Sequence, residues 1–227
     1  MTMRKTCTVG RLSTDATGPC RPHPWLVAVG SDNVGASVDL YWLPLGAGGH
    51  SVRLNGRVFE AVVSRLERRP ALDLYHSALV VSVPTGRFVV EQVPAWRSDA
   101  GCGVVSEGAV GSRWAGRFRI FRYELRCWRD GVIPDVDEAV DSPQRLSLDP
   151  PLAQRILDLT SSVPMAVWGR DEQRAGEMWN SNSVISWLIV RSGLPIGAVH
   201  LPEKGRAPGW NAGVVVPGRR ERPRAST

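Results

Sequence analysis

Residues 180–195 read Asn-Ser-Asn-Ser-Val-Ile-Ser-Trp-Leu-Ile-Val-Arg-Ser-Gly-Leu-Pro. Asn180, Ser181 or Asn182 can cap the start of a helix, and Gly193 with Pro195 can end it. After its first turn this helix is apolar on nearly every side. A helix of that kind has to be buried, here against a sheet. It is too short to cross a bilayer, and no run of 18 apolar residues occurs elsewhere in the 227-residue chain. The rest of the sequence therefore has to supply the sheet.

Four segments are predicted as strands. Ser37–Leu43 alternates, with Val38, Leu40 and Trp42 on one face. Leu74–Val83 is an almost continuous apolar run, the mark of a strand buried on both faces. Pro84-Thr85-Gly86 makes a turn, and Arg87–Val93 returns antiparallel. Phe118–Trp128 is rich in aromatic and β-branched residues. Helices are expected at about Arg57–Arg68, stopped by Pro70, and from Pro151 to about Thr160. Segment 101–116 reads as loop with room for one short strand, and 131–151 as a polar connection. The predicted fold is α+β: a small antiparallel sheet packed against the buried helix, one domain over 36–200. It is preceded by a mostly irregular segment (1–35) and followed by a Gly/Pro/Arg-rich tail (201–227).

The net charge of +6 suggests a nucleic-acid ligand, but its distribution does not. Residues 1–30 and 217–227 each carry +3, and the 20 basic and 20 acidic residues between them cancel. Nucleic acid is therefore not the expected partner. The first twenty residues lack an apolar signal core, and a cytoplasmic location is expected. Cys7, Cys20, Cys102 and Cys127 form no CxxC pair, and Gly46-Ala47-Gly48-Gly49 lacks the Lys-Ser/Thr of a phosphate loop. No metal or cofactor is expected.

Chemistry has three candidate places: His76 near the start of the apolar strand, Glu91 on the returning strand, and Ser181 at the helix N-terminus. A histidine and a carboxylate on adjacent strands can share a face. A turn centred on Thr85 would put Gln92 rather than Glu91 on the histidine's face, and a slip of one residue would exchange them. A nucleophile at a helix start gains from the dipole and from backbone N–H groups that can bind an oxyanion. Each residue also has a plain structural role: a core histidine, an ion-paired carboxylate, a helix cap.

Tyr75-His76-Ser77-Ala78-Leu79-Val80-Val81, Val89-Val90-Glu91 and Asn180-Ser181-Asn182-Ser183-Val184 together resemble the circularly permuted papain-like fold, the superfamily of lecithin:retinol acyltransferase-like, YiiX-like and PPPDE proteins. There the histidine strand comes first, a strand with an orienting polar residue second, and a cysteine nucleophile last, at a helix start. The resemblance covers roughly residues 37–200. It implies a hydrolase or acyltransferase acting on an amide, thioester or ester bond of a small acyl or peptide substrate. Ser181 would be the nucleophile, His76 the base and Glu91 its orienter, with Asn180, Asn182 and Trp179 at the oxyanion site or cleft. Serine stands where the family has cysteine, and a hydroxyl is far less acidic than a thiol. Three readings follow: a working serine nucleophile, a site that has lost catalysis and binds a ligand or protein, or a deliberate Cys-to-Ser exchange. Oligomeric state is left open.

Trp96 and Trp114 fall in expected loops, where exposed tryptophans are candidates for ligand contact. Trp187 reads as core. Arg113, Arg117, Arg119, Arg122, Arg126 and Arg129 are expected to be solvated or ion-paired rather than a phosphate track.

Overall fold

The apolar run at 74–83 becomes the middle of the sheet. In the computed structural model, which describes residues 35–45, 72–95, 103–133 and 135–219, β1 is Ser37–Pro44, β2 Asp73–Val83 and β3 Gly86–Pro94. Further along come β4 Val104–Ala109, β5 Arg122–Arg129, β6 Val140–Ser147 and the two-residue β7 Gly205–Arg206. The order across the sheet is β4-β5-β3-β2-β1-β6, every neighbour antiparallel, with β7 beside β2 in parallel. The architecture is α+β. Helices α1 (Pro150–Leu159), α2 (Ser181–Ser192) and α3 (Trp210–Val215) complete it.

Period-two alternation assigns the faces. Val38, Leu40 and Trp42 of β1, Tyr75, Leu79 and Val81 of β2, and Leu125 and Cys127 of β5 form the main core. Ile156 of α1 and Ile185, Leu188 and Ile189 of α2 pack onto this face. α2 buries ten of its twelve residues, as its all-round apolar sequence requires, and ends at Gly193 with φ +90°. The opposite face carries a smaller cluster of Leu43, Ala78, Val80, Val89 and Ile133.

Three expectations change. The strand expected over Phe118–Trp128 begins only at Arg122. Ala115–Arg117 and Arg119–Phe121 are 3-10 turns, so local β propensity yields to the geometry of a long hairpin connection. The polar connection contains β6, an edge strand of alternating partial exposure, where Pro143 is tolerated because an edge leaves one side of the backbone unpaired. Part of the expected tail is folded as well. Trp210 at the start of α3 lies 5.0 Å from Trp42, ring centre to ring centre, and the Trp42 Nε1–H donates to the His200 carbonyl at 2.9 Å. α3 lies so close to α2 that a Cβ on Gly213 would collide with the Ser183 carbonyl. Six residues are too few for a helical period to be visible in sequence. The helix expected at 57–68, the loop residue Trp96 and Cys102 lie outside the described residues.

Among the described residues no helix is long and apolar enough to cross a membrane.

Candidate functional site

Asn180 caps α2. Its Oδ1 accepts from the backbone N–H of Asn182 at 2.9 Å and of Ser183 at 3.3 Å, while the Ser183 hydroxyl accepts from the Asn180 N–H at 3.1 Å. Side chain and backbone thus satisfy each other in a reciprocal cap. The residues around it tie the helix start to the rest of the molecule. Asn182 Nδ2 donates to the carbonyls of Tyr75 and Pro208, both at 2.9 Å, and its Oδ1 accepts from the Ser77 hydroxyl at 2.9 Å. Ser183 and Ser186 donate to the Gly209 and Trp210 carbonyls, each at 2.7 Å. Asn180 Nδ2 donates to Pro208 at 2.8 Å. The Asn-Ser-Asn-Ser segment is therefore a junction between β2, α2 and the chain leading into α3.

Ser181 occupies the first turn of α2 and is buried at 5% exposure. Its hydroxyl makes no hydrogen bond to a described residue. Trp179 is fully buried in the main core rather than lining an open cleft, and Trp187 is core as expected.

His76 takes the other side of the sheet. Ser77 reaches α2, and Tyr75 and Leu79 join the helix-side core, so the residue between them points to the opposite face. Its partner across β1 is Leu43, a member of the smaller cluster. The register of β2 and β3 settles which of Glu91 and Gln92 accompanies it. Val80 pairs with Val89 around a two-residue turn at Pro84-Thr85, one residue away from a turn centred on Thr85. Glu91 therefore shares the His76 face, and Gln92 faces α2. The sheet brings His76 and Glu91 to one side and leaves Ser181, Asn182, Ser77 and Gln92 on the other.

Glu91 is 4% exposed and lies across from Arg126, which is equally buried. Arg126 Nε engages Glu124 at 3.1 Å, and its Nη2 has no partner. Burial lifts the Glu91 carboxyl from its ordinary 4.5 to about 7, opposed by the positive charge of Arg126. The fold favours the neutral acid. The stability this group contributes is complete below about 4.5 and is lost as pH rises through about 7. Urea denaturation across that window should show a decline of about 3 kcal/mol attributable to Glu91. Glu91→Gln should flatten the decline; an unchanged profile in the variant would remove Glu91 as its source.

Gln92 is 3% exposed, and neither atom of its amide has a partner. It lies opposite Leu125 on the helix-side face. Ser77 and Ser183 were not singled out from sequence. The signal for Ser77 was available in the strand's alternation, but it could be read only once the register was known. Among the described residues no three His, Cys, Asp or Glu side chains converge as metal ligands.

Comparison with protein-family models, curated proteins and solved structures finds no match. The residues of the site carry the functional reading by themselves.

Proposed function

We propose that this chain is a non-catalytic binding protein on a permuted papain-like frame. The frame rests on chain order: a histidine strand, its hairpin partner, and later a helix opening with Asn-Ser-Asn laid across the sheet. The loss of catalysis rests chiefly on one observation. The Asn180 carboxamide already occupies the Asn182 and Ser183 N–H groups, two of the backbone donors at this helix start that a developing oxyanion could use. The face taken by His76 adds to this, because a base has to come within hydrogen-bond reach of its nucleophile.

The alternative is a serine hydrolase or acyltransferase with Ser181, His76 and Glu91. In its favour, the Ser181 hydroxyl is not engaged by a described residue. An active-site fluorophosphonate separates the two. The binding reading expects the folded protein to label no more than Ser181→Ala does. A Ser181→Cys variant should hold no thiolate at neutral pH, since no base among the described residues is within reach to form one. Labelling that maps to Ser181, or a thiolate at neutral pH in the cysteine variant, would return the chain to the enzymes.

A further inference from the structure

The β4–β5 hairpin ends in a long tip at the edge of the sheet. Trp114, Phe118, Ile120 and Phe121 stand on this tip at 64%, 53%, 64% and 46% exposure. Four large apolar side chains stand exposed within eight residues, Trp114 and Phe118 in contact, and such clusters on a folded surface mark interaction sites. The tip is held in shape. The Val110 N–H donates to the Phe121 carbonyl at 2.9 Å and closes its neck. Val110 also bridges to Trp168, with hydrogen bonds from Gly111 N–H to Trp168 O and from Trp168 N–H to Ala109 O, both 2.9 Å. Within the tip, Arg122 Nε donates to the Gly116 carbonyl at 2.6 Å, and Trp114 meets Phe118 edge-on at 6.0 Å. These side chains are therefore presented by a fixed scaffold.

The tip itself carries only positive charges, two of them paired with carboxylates outside it. Between Glu107 and Glu124 the chain holds four arginines and no acidic residue. Arg113 is paired with Glu172 at 2.9 Å and Arg122 with Glu107 at 3.5 Å. Arg117 has no carboxylate partner among the described residues and lies 5.9 Å from the centre of the Trp114 ring. An exposed hairpin tip that combines Trp, Phe and Ile with arginine matches the boundary between headgroups and acyl chains. There an indole ring settles at headgroup level, apolar side chains enter the acyl layer, and arginine meets phosphate. A protein helix would need a groove, and stacked bases would have no use for Ile120.

We propose that this hairpin tip docks the protein on an anionic lipid surface, with Trp114 and Ile120 inserting and Arg117 meeting lipid phosphate. The proposal rests on the reading of the chain as a binding protein and names the surface it binds.

The test is sedimentation of the full chain with vesicles of mixed phosphatidylcholine and phosphatidylglycerol, beside vesicles of phosphatidylcholine alone. Binding should require the anionic lipid and weaken with salt. It should fall at least about tenfold in Trp114→Ser/Ile120→Ser and about fivefold in Arg117→Gln. All three side chains lie outside the buried core, so the variants should keep the wild-type unfolding midpoint. Three results would overturn the proposal: vesicle binding unchanged in the double variant, which would assign it to the basic chain ends; self-association abolished by the same substitutions without vesicle binding; or binding to single-stranded nucleic acid in place of vesicles. None of these outcomes bears on Ser181 labelling, so failure of the membrane proposal is distinguishable from failure of the non-catalytic reading.

Discussion

Trp42→Ala is expected to destabilise the protein by about 4 kcal/mol. Trp42 is fully buried on the helix-side face of β1. Its removal leaves a cavity where sheet and helices meet, because the surrounding strands can close in only partly. Two further contacts go with it: the tilted packing on Trp210 at 5.0 Å and the hydrogen bond from Nε1 to the His200 carbonyl at 2.9 Å. Both connect β1 to the chain after α2. The loss should therefore extend beyond global stability. Hydrogen exchange in the segment from His200 to Val215 should become faster than in β2, as that segment opens separately. Denaturant unfolding gives the first quantity and exchange by residue gives the second. A destabilisation below about 1 kcal/mol, or uniform exchange, would show that the C-terminal segment is held by other contacts.

The second large effect sets two buried amides against each other. Asn182→Leu should cost about 3 kcal/mol, whereas Gln92→Leu should be neutral or stabilising. The two positions are similarly buried, at 1% and 3% exposure, and both lie on the helix-side face. They differ in their hydrogen bonds. Replacing Asn182 abandons the Ser77 hydroxyl and the Tyr75 carbonyl, each of which would be buried without its partner. The Pro208 carbonyl keeps the Asn180 amide, so the junction is weakened without being dissolved. Gln92 has no hydrogen bond to lose. Leucine there removes two buried polar atoms and adds apolar contact with the core around Leu125. Paired unfolding curves decide the matter. If Gln92→Leu were the more damaging change, Gln92 would have to serve a bound molecule or buried water.

These expectations bear on the site as well as on the fold. The motif that suggested a nucleophile, Asn-Ser-Asn-Ser, is accounted for almost entirely by structural hydrogen bonds. Asn180 caps, Asn182 ties to β2, and Ser183 and Ser186 tie to the approach to α3. Only Ser181 makes no side-chain hydrogen bond to a described residue. The same four residue types in the same order serve equally well as a cap and as a nucleophile segment, since both uses exploit the N–H groups exposed at a helix start. What separates the two uses is the residue facing that start across the sheet, and here it is Ser77.

The sequence alone was enough for whatever depended on local periodicity. An all-round apolar run between an asparagine cap and a glycine stop had to become a buried helix, and α2 matches it within a residue at each end. The Pro-Thr-Gly turn and the two apolar strands beside it had to become a hairpin. The tertiary structure decided whatever depended on a single residue of register or on contacts far apart in the chain. A two-residue turn, rather than one centred on Thr85, put Glu91 on the side of His76, and the packing of Tyr75, Ser77 and Leu79 against the helix side put that side away from Ser181. No local pattern carries that choice, because each side-chain direction in a strand reverses with every residue. The strand at 140–147 and the helix at 210–215 were illegible for a related reason. An edge strand needs no apolar run, and a six-residue helix is fixed by the side chains it meets, Trp42 above all, rather than by a periodicity of its own.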